Sequence, residues 1–447
     1  MTAAAVTLHA FGPRYDLPLS LALYLYAAAG VVVISFVMVT VLAVDRLAER
    51  ATRYPTWPAP WLETLDRWSW SRRIGGLVGL ALLGTVIGTG LLGSQNPFFS
   101  VTEYLVWIYL WAGLVILTGL VGNPWEYLNP FAALDRLVRR FYNPPPRPLP
   151  ERLGVWAAIV LYYAFVFLEL ASGVANQPRL IGLLALLYTL FTLAGTLTFG
   201  REVWLHRVEF LTVLFDLVSR FSPIERTERG GLAFRPWGAG LLRPYPVGWD
   251  RVVFVILTLS SLAFDGLIAT AQWQSLSTAL EPWWTPLGQL GFVLVRGLGI
   301  IAVTVVFLAV FSVIAQLVIY FGYAKVDVPA TVSVFVLTLV PIALVYNAAH
   351  NYSYLVVNSQ NLVPLIPGLS GYQVNYVLAN AAVVWYLQVV LIVIGHVIAV
   401  YLAHLRAGER FKTAKNALLS QYPMLILMVA YTMTSLWILA QPTTRGG

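Results

Sequence analysis

Apolar residues in this chain fall in long unbroken runs separated by short polar stretches, and they do not alternate as a half-buried strand would. Ten such runs occur, at residues 19–44, 74–92, 101–121, 153–171, 180–199, 252–268, 287–321, 328–346, 376–402 and 422–439. Each is near or above the roughly 20 residues that a helix needs to cross the hydrocarbon core of a bilayer. The seventh is long enough for a tilted helix plus an interfacial turn. The pattern predicts an all-α polytopic membrane bundle of about ten transmembrane helices, with residues 1–447 as a single transmembrane domain. The first run follows Arg14-Tyr15-Asp16, lacks a basic start or small-residue cleavage site, and exceeds the about 7–15 apolar residues of a signal-peptide core. It is therefore read as a retained span.

Composition narrows the class further. Of 447 residues 59% are hydrophobic and 11% charged, under half the roughly 25% charge of a soluble domain. Too little polar surface exists to clothe a water-soluble globule. The absence of cysteine rules out thiolate metal sites, iron–sulfur clusters and cysteine nucleophiles. With the N-terminus outside, 24 of the 28 Lys and Arg residues fall in inside loops, only Arg14, Arg179 and Arg445 lie outside, and Arg296 sits within the seventh run. This split follows the positive-inside tendency. It predicts an N-out/C-out protein of the bacterial inner membrane whose +8 charge faces anionic lipid, with no nucleic-acid partner.

Two inside loops carry amphipathic helices, at 129–141 and 208–221. In the first, Asn129 can cap and Pro130 can open the helix, with Leu134, Leu137, Val138 and Phe141 on one face. In the second, Phe210, Leu211, Leu214, Phe215 and Val218 form the apolar face, and Asp216 stands four residues before Arg220. Both are too short and too charged to span and are expected flat on the inner leaflet. The same loops end two similar segments. Residues 73–141 and 152–221 share an Arg-x-Gly start, two spans, a Gly, a Trp, and the endings LVRRF and LVSRF, the pattern of a parallel tandem repeat. Within the first, the string GTGLLG fits a dinucleotide fingerprint but lies inside a span with no strand before it, so no nucleotide is expected. Gly75, Gly79, Gly84 and Gly88 offer small faces for close helix packing instead.

Ionisable groups within the bilayer are costly enough, about 2.5–3.5 kcal/mol each at mid-membrane, to be candidates for function. Glu103, Glu169 and Asp265 lie near the outer ends of spans three, four and six, and Arg296 in the outer half of span seven. Together they suggest an outward-facing polar cavity. Span nine carries Asn380, Gln388, His396 and His404. A spacing of eight turns successive members by about 80°, so they spiral and do not form one stripe. Glu103, Glu169, Asp265, Arg296, Gln388 and His396 are thus candidates for a substrate or ion pathway. His9 and His350, both outside, with Glu169 or Asp265 would make an N/O site suited to Zn or Cu. His350 and His396 differ by most of a bilayer in depth, so no haem is expected. The charge-free loop from His350 to Asn375 is expected to lie against the membrane face, where it offers a docking surface.

Several segments carry a resemblance. They are His9-Ala10-Phe11-Gly12 with Asp16-Leu17-Pro18, the Asn123-Pro124-Trp125 and Asn129-Pro130 pair, SSLAFDGL at 260–267, and Ala349-His350-Asn351-Tyr352-Ser353. GHVIAVYLAH at 395–404 and LMVAYTMTSLWILAQP at 427–442 complete the set. Together, over nearly the whole chain, they resemble a bacterial polytopic membrane family labelled fenitrothion hydrolase-like. The resemblance implies organophosphate triester hydrolysis for some members. Three functions stand as expectations: a transporter or membrane subunit of a transport system, from the span count, the repeat and the ionisable groups in the outer leaflet; a membrane-embedded metal-dependent hydrolase, as the resemblance implies; or an anchor or assembly subunit for a periplasmic or respiratory complex, from the charge-free outer loop. Transport is the more economical, because soluble chemistry needs no ten helices.

Overall fold

The structure is a computed structural model that describes residues 15–42, 54–67, 69–227, 231–243, 247–323, 327–411 and 413–445. His9 lies outside the described residues. Helices dominate: α1 (Leu21–Leu42), α2 (Ser69–Leu92), α3 (Val101–Leu120), α4 (Trp125–Leu128), α5 (Pro130–Val138), α6 (Trp156–Leu170), α7 (Pro178–Phe199) and α8 (Arg201–Arg207) come first. They are followed by α9 (Phe210–Ser219), α10 (Trp249–Leu267), α11 (Ala271–Trp284), α12 (Gln289–Phe321), α13 (Val328–His350), α14 (Ala381–Arg410) and α15 (Ala414–Thr443). Among the described residues nine helices are long and apolar enough to cross a membrane, and ten if α10 and α11, bent by 86° at their junction, count as one span. The all-α polytopic bundle read from hydropathy is the fold.

The chain divides into two compact units. One comprises Met1–Ala51, Val255–Pro364 and Gly371–Gly447; the other comprises Thr52–Phe254 and Leu365–Ser370. In the second unit, two successions of elements run in parallel with the sequence match. One is α2, a single turn at Pro97–Phe99, α3, α4 and α5; the other is α6, a single turn at Val174–Asn176, α7, α8 and α9. The last helix of each is capped at the equivalent position. Asn129 Oδ1 accepts from Ala132 N at 2.9 Å, and Glu209 accepts from the backbone N–H groups of Leu211 and Thr212 at 3.0 and 2.8 Å. Both side chains satisfy donors that a helix start leaves unpaired. Thr212 joins the two caps: its hydroxyl accepts from Asn129 Nδ2 and Trp125 Nε1, each at 3.1 Å, and donates to Glu209 Oε2.

The two short helices differ from each other in placement. The Leu134, Leu137, Val138, Phe141 face of α5 and its sequel stays unburied by protein, with Leu137 45% and Phe141 88% exposed, while Phe131, Ala133 and Asp135 turn inward. An apolar face left open in this way suits a lipid interface. Helix α9 corrects the expectation for 208–221. Phe210 through Phe215, Leu217 and Val218 are all buried, so this helix is a core element and not a surface one. The apolar face was read too narrowly, because Thr212 and Val213 also turn to protein; on the polar side Asp216 stays part-exposed, with Asn123 and His206 beside its carboxylate. Asn123 Nδ2 donates to Asp216 Oδ1 at 3.2 Å, and His206 Nε2 lies 3.8 Å from Oδ2. Burial pushes the Asp216 carboxyl up to about 6, against the pull of His206 and with support from Glu126 and Glu209. A carboxyl raised on folding holds more protons folded than unfolded, so its contribution is full below about 4 and is lost as pH climbs through about 6. Asp216→Asn is expected to raise the melting temperature at pH 7 and leave it unchanged at pH 4, as thermal melts in detergent will show.

Glycine packing also departs from expectation. Gly75 and Gly79 approach the backbone at Tyr127 and Leu128, but nothing lies within 4 Å of a Cβ built at Gly84 or Gly88. The close helix–helix crossing is instead at Gly90, whose Cβ would lie 2.8 Å from Gly182 Cα of α7. In the first unit α12 runs 33 residues without a break, about 50 Å at 1.5 Å per residue, and needs no separate interfacial turn. An exposed apolar face lies instead on α11, where Leu276, Leu280, Trp283 and, in the following turn, Leu287 stand at the i, i+4, i+7 spacing of one helical face.

Candidate functional site

Span α13 is interrupted. Val328–Phe335 is α-helical, Val336–Leu339 tightens to a 3-10 turn, and Val340–His350 resumes as α-helix. Pro341 explains the break: it has no N–H to donate to Leu337 and its ring crowds that carbonyl. Nine of the eleven residues after the break are buried, and the segment delivers His350 at its end. Span α10 brings Asp265 to meet it, with His350 Nε2 2.9 Å from Asp265 Oδ2 and side chains only 7% and 12% exposed. One turn before His350, Tyr346 stacks on its ring at 5.9 Å and 12°. The Tyr346 hydroxyl fits because residue 266 is glycine; a Cβ there would lie 2.6 Å from the hydroxyl oxygen. Gln388 of α14 donates to Ala349 O at 3.2 Å, which sets this glutamine beside the same turn of α13.

Arg296 belongs to the same end of the unit. Helices α10 and α12 are registered by the Ser260–Thr304 hydroxyl pair at 2.8 Å and by Gly299 against Phe264 and Trp273. Arg296 is three residues from Gly299, about one turn, toward the α10 end that carries Asp265. Its guanidinium lies 4.4 Å from the centroid of the Phe292 ring, a cation–π contact that softens the cost of a charge at this depth.

The remaining span-nine residues separate as an 80° spiral requires. Asn380 is not in the span; it caps α14 by accepting from Ala382 N at 2.9 Å. The helix begins five residues later and ends eight later than hydropathy indicated. His396 is fully buried, with Nδ1 2.8 Å from Ile392 O. His404 lies within the helix and pairs through Nδ1 with Gln421 Oε1 of α15 at 2.7 Å.

In the other unit, Glu103 is buried and opens an eleven-residue π-helix, Tyr104–Leu114. Such wide turns are rare and gather at functional positions. Trp107 and Trp111 of this stretch pack on Phe165 of α6 at 5.3 and 5.0 Å between centroids, and Trp107 donates to Ala175 O at 3.0 Å. Glu103 and Glu169 each stand four residues beyond this contact in their own helices, so they share a level. Glu169 is half-buried. Away from the spans, Glu209 is a fully enclosed acid. Burial pushes its carboxyl up, opposed by hydrogen bonds from Thr212, Tyr188 and the backbone, and that satisfied set marks it as a structural cap.

Among the described residues no group of three or more His, Cys, Asp and Glu is disposed to hold a metal ion. Asp265 and His350 come together as a pair, and His9 lies outside the described residues. Tyr346 and the Pro341 break were missed from sequence. Their only signals were a proline inside an apolar run and a tyrosine four residues before a histidine. Fold and site define a polytopic helical membrane protein with a buried Asp–His pair at one end of an interrupted span. No family model, curated protein or solved structure matches the chain.

Proposed function

We propose that the chain is a multi-pass transporter, or the membrane subunit of a transport system, of a bacterial inner membrane, with Asp265 and His350 as its proton-exchanging pair. The observation that carries this reading is the 2.9 Å Asp265–His350 contact at the end of an interrupted, buried span. Ionisable groups in the bilayer are retained for function by default, and discontinuous spans are where transporters place their sites. Protonation of such a pair changes its charge by one unit, and that change can be traded against entry or exit of a substrate. The Lys- and Arg-rich loops then face the cytosol and anionic lipid, and the Asp265–His350 end faces outward.

The test is proton movement into sealed proteoliposomes containing pyranine under an imposed pH step. Asp265→Asn and His350→Gln are each expected to slow the dye response at least tenfold, with Glu281→Gln on exposed α11 as the unaffected control. Wild-type vesicles no faster than protein-free ones overturn the proposal. The hydrolase implied by the family resemblance would use the same two side chains as metal donors. A purified protein that turns over a fenitrothion-type triester and loses that activity to a chelator would favour it over transport.

A further inference from the structure

Buried polar atoms almost always find a partner, yet the α13–α14 pair of the first unit gathers four that have none. They are Tyr346 Oη, Trp385 Nε1, Gln388 Oε1 and His396 Nε2. All four residues are at most 4% exposed. His396 is the informative member. Its Nδ1 faces the Ile392 carbonyl at 2.8 Å; a carbonyl only accepts, so Nδ1 carries the hydrogen and Nε2 carries a lone pair. The imidazole is therefore held in one tautomer with a basic nitrogen open at mid-span. One residue before it α13 and α14 approach closely, where Val345 takes the space a Cβ at Gly395 would need.

We propose that His396 is the mid-membrane proton acceptor of a relay that runs the depth of this unit, from Asp265–His350 past Gln388 to His396 and on to His404–Gln421. The inference rests on the transport reading and adds to it the route. Gln388 is tied to Ala349 at the Asp265–His350 end and His404 to Gln421 at the other. Successive members lie eight residues apart, about 12 Å along the helix. Steps of that length need two or three water molecules between stations. A proton entering from the Gln388 side bonds to Nε2 and makes the imidazolium. With Nδ1–H on Ile392, it must leave through the same nitrogen toward His404. The two sides therefore open in turn, which is transporter behaviour and not that of an open channel. No carboxylate among the described residues of the helices packed on α14 shares this depth. Ionisable groups there are Tyr346 from α13 and Tyr431 from α15, while α1 presents only Tyr24 and Tyr26.

The pyranine assay in proteoliposomes tests the relay. His396→Ala is expected to cut proton movement at least tenfold, and added imidazole to restore at least a third of it. A variant with wild-type flux overturns the relay, and so does a loss that imidazole does not relieve, since packing alone would then explain it. Wild-type vesicles that move no protons defeat the transport reading itself, so the two failures are distinguishable. Should the variant not fold, deuterium exchange at the imidazole C2 of the wild-type chain decides, read by mass spectrometry over a pH series. A titrating, water-reached His396 exchanges with a sigmoidal pH profile, and one that stays unexchanged overturns the proposal.

Discussion

Gly79→Ala is expected to cost the chain at least about 3 kcal/mol of stability and most of its yield as a monodisperse species, whereas Gly84→Ala is neutral or mildly stabilising. The two glycines lie in the same helix, five residues apart, and differ only in what faces them. A Cβ at Gly79 would overlap the carbonyl oxygen of Leu128, with Leu128 C and Pro130 N close behind; a Cβ at Gly84 meets nothing within 4 Å. Backbone cannot swing aside as a side chain can, and Leu128 is the residue before the Asn129 cap, so relief would unseat the start of α5. Overpacking a core commonly costs about 1–3 kcal/mol, and a backbone collision belongs at or beyond the upper end. Opposing it is only the gain of about 1 kcal/mol that Ala has over Gly within a helix. Fluorescence-detected size exclusion and thermal melts of the pair will check this. Equal melting temperatures would refute the close approach of α2 to α4.

This contrast also shows what hydropathy conveys and what it does not. Span count follows from a one-dimensional free energy of transfer, and that is why nine or ten runs became helices with small shifts at their ends. Which glycine touches a neighbour depends on helix azimuth, and composition within a span does not set it: Gly75 and Gly79 are engaged, Gly84 and Gly88 are not. Helix α9 misled for a related reason. Asp216 and Arg220 suggested a solvated face, and both do stay part-exposed, but Thr212 and Val213 on its flank turn to protein together with the apolar residues. Helix α11 was invisible because residues 271–284 hold one charge and mixed polarity, so only its 86° turn from α10 reveals an amphipathic face. At the candidate site, Asp265 and His350 were legible as costly residues at matched depth. Their contact was not legible, since 85 residues separate them. Tyr346 becomes meaningful only through Gly266, a void that no pattern within α13 announces.

A second large effect is expected in the loop between α9 and α10, outside the spans. There a three-stranded sheet, ordered β1 (Trp57–Pro58), β3 (Leu232–Phe234), β2 (Ile224–Arg226), encloses Glu225. Its carboxylate takes Arg235 at 2.7 Å, Arg243 at 2.6 Å and the Tyr54 hydroxyl at 2.9 Å, with Glu225 and Arg235 only 3% and 7% exposed. Arg235 also donates to the carbonyls of Ser219, Arg220 and Ser222, so its guanidinium cannot turn to water without unmaking the loop. Glu225→Gln keeps the shape but leaves that cation buried without its counterion, a loss of about 3–5 kcal/mol for pairs of this kind. The double variant Glu225→Gln, Arg235→Met is expected to recover more than half of it, because the stranded charge goes with its partner. Screening separates this from a surface effect: the deficit of the single variant should be the same at 0.1 and 1 M salt, whereas an exposed pair would already be worth little and would fade. Thermal melts of the three proteins, with protease cleavage between Thr227 and Gly231 as a local reporter, measure it. A single variant that melts with the wild type would show that Glu225 is solvated and that the sheet does not close over it.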